Sequence, residues 1–282
     1  MKDRAYAKIN LSLDVFNVRE DGYHDIKSIM IPINFYDTLD IRRAAEDSFT
    51  SNISFLKMNE HNSIFKMINL VRQEFGIHDH YSVYLQKRVP TQAGLGGGTA
   101  DAAGTLRILN KMYNLHLNDD KIRELCVKVG ADVYFNYYNT PSIVEGIGDK
   151  LTTIYPKKQY YVLLIKPRSG VSTKAAYENL NMDICDHPDI DGLKKALEDG
   201  EPLEGLLGNS LEQPSLELNK DISSIKKKLM DLGAKNVLMS GSGSTVFAIS
   251  EDKAELEVLY SVMKNEKHFI RLTMTMNRRY HG

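Results

Sequence analysis

Four glycines in five positions, Gly94-Leu95-Gly96-Gly97-Gly98, are followed by Thr99 and then by apolar residues at helical spacing, Ala102, Ala103, Leu106, Leu109 and Tyr113. Such a run weakens the interior of any helix or strand, so it marks a bend at a helix start. A turn at Pro90 precedes it, and Thr99 or Asp101 is available as the helix N-cap. Without Cβ atoms a backbone approaches a ligand closely, and the first helical turn adds unpaired N–H groups and a positive dipole end. The run therefore predicts an anion-binding loop. It lacks the Lys-Ser/Thr ending of a P-loop, and neither it nor Gly241-Ser242-Gly243 fits G-x-G-x-x-G. Taken alone, it fits equally well a bend where a helix packs closely on a strand.

The flanking patterns supply a mixed fold. Alternation over residues Ala5 to Val18 and Ile29 to Ile41 predicts strands, with a turn at Arg19-Glu20-Asp21-Gly22. Asn62 to Phe75 predicts a helix, Tyr81 to Leu85 a strand, and Asp119 to Val129 a helix stopped by Gly130. Ala131-Asp132-Val133 then leads into an aromatic segment that reads as a strand. After Leu151 the pattern restarts: strands at Tyr160–Ile165, Asn236–Met239, Thr245–Ile249 and Phe269–Met274 alternate with helices near Thr173–Asn179, Asp189–Leu197, Asp221–Leu232 and Asp252–Lys264. That order suits an α/β sandwich. Tyr155-Pro156-Lys157-Lys158, polar and broken by proline, marks a soft boundary between two units, residues 1–155 and 156–282.

Composition narrows the function classes. A formal net charge of −1, with no basic stripe interleaved with aromatics, gives no reason to expect nucleic acid as a partner. Lys226-Lys227-Lys228 reads as a solvated helix face. Cys126 and Cys185 are too few for a disulfide framework and are not spaced as a metal knuckle, which suits a reducing compartment. His78-Asp79-His80 lacks further ligands at metal-binding spacing and reads as a surface turn. The start, Met1-Lys2-Asp3-Arg4, has no signal-peptide pattern and no segment reaches bilayer length, so the expectation is a cytoplasmic protein without a membrane partner.

Six short motifs occur in order along nearly the whole chain: Ala7-Lys8-Ile9-Asn10, Asp21-Gly22-Tyr23-His24, Gly94 through Ala103, Gly130-Ala131-Asp132-Val133, Glu145-Gly146-Ile147-Gly148 and Gly241-Ser242-Gly243-Ser244. The set resembles the GHMP small-molecule kinases, and within them the members that act on a cytidine-bearing alcohol. The resemblance implies an α+β, two-domain GHMP kinase fold, with an N-terminal nucleotide-binding domain and a ferredoxin-like C-terminal domain. It further implies ATP and Mg2+ as cofactors, a small-molecule substrate, and a monomer or homodimer.

By the same resemblance, Gly94, Leu95, Gly96, Gly97, Gly98 and Thr99 hold the ATP phosphates, while Asn62, Lys87 and Pro90 line the nucleotide site. Thr99 reaches Mg2+, with helix capping as an equal alternative. Asn10, Tyr23, His24, Thr173 and Tyr177 are implied to contact the substrate, the cytosine lying between the rings of Tyr23 and Tyr177. Lys8 and Asp132 fall on catalytic positions. On local sequence alone Asp132 reads as a turn cap and Lys8 as an edge-strand lysine. Their chemistry also suits phosphoryl transfer, in which a carboxylate accepts the alcohol proton and an ammonium stabilises the developing charge. Tyr6, Gln92 and Tyr134 depart from the family pattern, which puts loop geometry and nucleotide affinity in question. Two other readings are a GHMP kinase for mevalonate, homoserine or a sugar, opposed by Tyr23-His24, and a non-catalytic nucleotide-binding protein, opposed by Lys8 and Asp132.

Overall fold

The computed structural model describes residues 1–282 apart from Asp21, Met58, Glu60, Asn265 and residues 278–282. Two long strands, β1 (Lys2–Val18) and β2 (His24–Ala44), form an antiparallel ribbon. Around it come β3 (Ser48–Ser51), α1 (Ser63–Phe75), β4 (His80–Gln86), α2 (Gly97–Tyr113), α3 (Asp119–Val129), α4 (Val133–Tyr138) and the hairpin β5 (Ser142–Gly146) and β6 (Lys150–Thr153). The later part runs β7 (Tyr161–Lys166), α5 (Thr173–Glu178), α6 (Ile190–Asp199), β8 (Gly208–Asn209), α7 (Glu212–Leu218), α8 (Lys220–Asp231), β9 (Val237–Met239), β10 (Val246–Ser250), α9 (Lys253–Met263) and β11 (Phe269–Met274).

These strands make two sheets. The first has the order β3-β4-β2-β1-β8, with β5 added to the early part of β2 and β6 to β5. The second, β11-β7-β10-β9, is antiparallel throughout. Counted within itself it has the order 4-1-3-2, the ferredoxin-like arrangement. The fold is the α+β, two-unit arrangement expected. The short strand β8 crosses between the units, pairing parallel with β1 through Ser12 and Leu13.

Alternation explains how the second sheet serves two cores. On β7, Val162 and Leu164 face an apolar cluster that includes Ile9, Leu11, Ile31 and Ile33, while Leu163 and Ile165 face α8 and α9 through Ile225, Leu229 and Leu256. One hydrophobic cluster therefore joins both sheets. A further cluster lies between β2, β4 and helices α1 to α4. Among the described residues, no helix is long and apolar enough to cross a membrane.

The aromatic segment after Asp132 is a correction: it forms helix α4, not a strand. Alternation fails because Val133, Tyr134, Phe135 and Tyr137 are all buried, with Phe135 against Met30 and Val144 and the others against α2 and α3. Packing on several sides overrides the strand preference of aromatic residues. The Tyr134 and Tyr138 rings, one helical turn apart, meet edge-on at 5.5 Å.

Helix α1, which borders the cleft described below, is anchored at its C-terminal end by Asp47. Its Oδ1 accepts from Arg72 Nη2 at 2.7 Å and from the backbone N–H of Tyr81 at 2.8 Å, and its Oδ2 lies 3.4 Å from His80 Nδ1. Burial works against the Asp47 charge, but these donors outweigh it and bring the carboxyl down to about 2. A depressed folded-state pKa gives stability that is present above the unfolded value and lost as pH falls through the folded one. Asp47→Asn should therefore lower unfolding free energy by about 1–2 kcal/mol at neutral pH, a deficit that shrinks as pH falls from about 4 towards 2. Denaturant titrations across that range check it; a deficit constant with pH would contradict the assignment.

Candidate active site

The glycine loop is shaped by the protein around it. Gly94 has φ +71°, and a Cβ there would lie 1.9 Å from the carbonyl oxygen of Ser240. The Ser240 hydroxyl donates to the Gly94 carbonyl at 2.9 Å, the Thr245 N–H donates to Ala93 O at 3.2 Å, and the Lys8 N–H donates to Leu95 O at 3.0 Å. The loop is thus pinned between β1 and the Gly241-Ser242-Gly243 turn. Gly96, at φ +66°, is the N-cap of α2 and has no side-chain cap bond. Neither Thr99 nor Asp101 caps that helix, contrary to expectation. The Thr99 hydroxyl lies 2.8 Å from Gly96 O and 3.0 Å from Asn136 Oδ1, and the Asp101 carboxylate is buried against Lys87.

Beside the loop, Lys8 Nζ lies 3.2 Å from Asp132 Oδ2. Lys8 is 3% exposed, lies on β1 between two neighbouring strands, and donates to Asn10 Oδ1 at 2.6 Å, so it is no edge-strand lysine. Asp132 makes no side-chain cap bond at the start of α4. Its position is set by a tight approach, since a Cβ on Gly148 would come 2.8 Å from Ala131 O. Asn10 is buried with both amide groups committed, the oxygen to Lys8 and Nδ2 to Ser28 Oγ at 2.9 Å. From the wall of the cleft it buttresses Lys8.

Both sit in a cleft of about 1370 Å3 that also takes in the loop, Asn62, Pro90, Tyr23, His24, Thr173 and Tyr177. That exceeds the roughly 300–1,000 Å3 of a typical small-molecule pocket, so there is room for two ligands. At one end Asn62 caps α1, its Oδ1 accepting from Ile64 N at 3.0 Å, and its Nδ2 donates to Lys57 O at 3.1 Å. At the other end the His24 and Tyr177 rings lie 4.8 Å apart, tilted by 43°. Burial, with the Asp132 charge adding, raises the Tyr177 phenol well above its ordinary value. Tyr177 is therefore covered by His24, with Tyr23 exposed at the mouth. Thr173 Oγ1 lies 2.9 Å from Ser242 Oγ and closes this end onto the second glycine turn. Asp21 of the same motif lies outside the described residues.

Lys87 also lines the cleft, with its ammonium paired to two buried carboxylates. Its Nζ donates to Asp37 Oδ2 and Asp101 Oδ2, both at 2.6 Å. Burial opposes its charge, and the two carboxylates outweigh that and raise its pKa. Burial, with the charge of Asp37 adding, pushes Asp101 up to about 7 against the pull of Lys87. Among the described residues no group of three His, Cys, Asp or Glu side chains is arranged to hold a metal ion.

Residues 62–140 match the model of the GHMP kinases N-terminal domain, and residues 185–268 that of the GHMP kinases C-terminal domain. The chain belongs to the GHMP kinase family. It is 40% identical to the 4-diphosphocytidyl-2-C-methyl-D-erythritol kinase of Lachnoclostridium phytofermentans over 90% of this chain and 89% of that one. Against the enzyme of that name from Enterococcus faecalis it is 35% identical over 97% and 98%. The crystal structure of a 4-(cytidine 5'-diphospho)-2C-methyl-D-erythritol kinase superposes with a TM-score of 0.81 at 27% identity, covering 98% of this chain and 100% of that chain. L. major mevalonate kinase, at 16% identity and a TM-score of 0.71 over 100% of this chain and 97% of that one, shares the fold.

Within this GHMP kinase, sequence reasoning missed Asp37, Ser240 and Asn136. The signal for Asp37 was a carboxylate inside an apolar strand, between Phe35 and Leu39. The glycines also divide by role. Gly94 is needed for contact with Ser240, whereas a Cβ on Gly98 meets nothing closer than Ser63 Oγ at 3.7 Å. Gly94→Ala should cost at least about 2–3 kcal/mol of stability, while Gly98→Ala should stay within about 1 kcal/mol of the parent. Thermal unfolding of the two variants checks this. Equal stability would remove the packing role of Gly94.

Proposed function

We propose that this chain transfers the γ-phosphoryl group of ATP to the 2-hydroxyl of 4-diphosphocytidyl-2-C-methyl-D-erythritol, a step of non-mevalonate isoprenoid precursor formation. The observation that carries this reading is the Lys8–Asp132 pair, 3.2 Å apart, lying between an anion loop and a pair of aromatic rings in one cleft. The names carried by relatives across almost the whole chain support the acceptor.

In this reading the phosphates lie on the N–H groups at the start of α2, where the helix dipole favours negative charge. Asp132 accepts the proton of the acceptor hydroxyl, and Lys8 offsets charge on the entering oxygen and the transferring phosphoryl group. Asn10 holds Lys8 in place through its 2.6 Å contact. Magnesium is a hard ion that keeps waters and phosphate oxygens as ligands, and in this reading it arrives with the nucleotide. It would neutralise phosphate charge, and the Thr99 hydroxyl at the start of α2 would be an oxygen donor to it. The cytosine lies against Tyr177, with Tyr23 closing over it and His24 offering a donor or an acceptor to its edge.

A coupled ADP-release assay with a panel of alcohols tests the reading. Release should require 4-diphosphocytidyl-2-C-methyl-D-erythritol and Mg2+, and mevalonate, homoserine and sugars should give none; the opposite preference would sink the acceptor assignment. Asp132→Asn should lower kcat about 10²–10⁴-fold and leave ATP binding largely intact. Wild-type kcat in that variant would mean the base lies elsewhere. Base–aromatic stacking is worth about 1–3 kcal/mol, so Tyr177→Ala should raise the alcohol KM roughly 5–150-fold while sparing the KM for ATP. An unchanged alcohol KM would move the base-binding site away from Tyr177.

A further inference from the structure

Gln92, a departure from the family pattern, takes no part in the chemistry above. It has φ +49°, in the left-handed region that a residue with a Cβ seldom enters, and it is exposed on the wall of the cleft. Such a conformation persists where the surroundings impose it, and it points to a functional constraint. Two neighbours impose it here. Ala93 O, one residue on, accepts from the Thr245 N–H at 3.2 Å, and Gly170, in the segment after β7, lies against Gln92 itself. A Cβ on Gly170 would be 2.8 Å from both Cβ and Oε1 of Gln92 and 3.2 Å from its carbonyl oxygen.

That contact orients the side-chain amide. Its oxygen lies against Gly170, so the NH2 is the end left to the cleft, and the side chain makes no hydrogen bond among the described residues. Chain connectivity places Gln92 between the two halves of the acceptor site. It precedes Leu95, whose carbonyl holds the Lys8 N–H, and Gly170 precedes Thr173, where α5 begins on its way to Tyr177. In a ligand with its base at Tyr177 and its alcohol at Asp132, the group that joins the two faces this part of the wall. Free positive charge there is scarce. Lys8 is paired with Asp132, and Lys174, 83% exposed, lies 3.7 Å from Glu178. An NH2 group donates and does not accept, which suits an oxyanion.

We propose that Gln92 is a specificity-determining residue whose side-chain NH2 donates to the diphosphate that joins base and alcohol in the acceptor. This rests on the reading that the acceptor is a cytidine diphosphate alcohol. The contact distinguishes an acceptor with a phosphate bridge from a bare nucleoside, and it acts on acceptor affinity, leaving the nucleotide end to the start of α2.

Steady-state kinetics of Gln92→Gly, Gln92→Ala and Gln92→Glu test it. A hydrogen bond to a charged group is worth a factor of about 10 to 100, so Gln92→Gly and Gln92→Ala should each raise the KM of the cytidine-bearing alcohol about tenfold or more and move the KM for ATP less than about twofold. Gln92→Gly also relieves the positive φ, so that variant keeps the fold. Gln92→Glu fills the same space but presents oxygens to the diphosphate, and should raise the alcohol KM further than Gln92→Ala; a role in packing alone predicts the reverse order. A second readout is binding with the nucleotide end held by a non-hydrolysable ATP analogue. There Gln92→Gly should weaken cytidine diphosphate about tenfold and leave cytidine unchanged. An unchanged alcohol KM in Gln92→Gly, a milder effect of Gln92→Glu than of Gln92→Ala, a rise in the KM for ATP instead, or equal losses for cytidine and cytidine diphosphate overturns the inference. If the unmodified protein binds neither probe and turns over no cytidine-bearing alcohol, the acceptor reading beneath it fails instead.

Discussion

The architecture depends on one backbone-to-backbone approach, that of Gly94 to Ser240. No side chain fits between them, because a Cβ on Gly94 would fall 1.9 Å from the Ser240 carbonyl oxygen. The contact is closed by the Ser240 hydroxyl on Gly94 O and flanked by the Lys8 and Thr245 amides on the neighbouring carbonyls. Loop carbonyls are used up in holding the two units together. The start of α2 lines the cleft, and the unpaired N–H groups of a helix start favour an anion there. Packing and binding are thus two sides of one strand-to-helix connection.

The same junction explains why an apolar strand carries polar residues. Residues Ala5 to Leu13 of β1 are all buried, yet Ile9 and Leu11 enter the shared core while Lys8, Asn10 and Ser12 form a polar line on the opposite face. That line is hydrogen-bonded from end to end: Lys8 to Asn10, Asn10 to Ser28, and Ser12 Oγ to the Ile29 N–H. A buried polar group without a partner costs stability, so the chain satisfies each member and leaves the Lys8 ammonium facing Asp132. The apolar face holds the units together, and the polar face sets the geometry of the reacting groups.

Much of this was legible in the sequence, for different reasons in different places. The apolar spacing of α1, which buries one face, gave that helix, and the lengths and flanking turns of α2, β7 and β10 separated helix from strand even where more than one face is buried. Segment α4 misled because it is buried on several sides, which erases the period that separates helix from strand. Ordered motifs placed Lys8, Asp132, His24 and Tyr177 together, and they do meet in one cleft. What spacing could not reveal was where polar capacity is spent. Asn10, Asn62 and Lys87 look like ligand contacts in sequence, but their hydrogen bonds are largely committed within the protein. Commitment of that kind arises from residues such as Asp37 and Ser28, far away in the chain and visible only once the sheets are assembled.

The central claim is that the two ends of the cleft bring phosphates and acceptor together at Lys8 and Asp132. A crystal structure of the ternary complex with a non-hydrolysable ATP analogue and the acceptor alcohol tests it most directly. The account predicts phosphate oxygens on the backbone N–H groups at the start of α2, the base of the alcohol against Tyr177, and one acceptor hydroxyl within about 2.6–3.2 Å of the Asp132 carboxylate. Phosphates bound away from that helix start, or a hydroxyl that no part of Asp132 can reach, would contradict it.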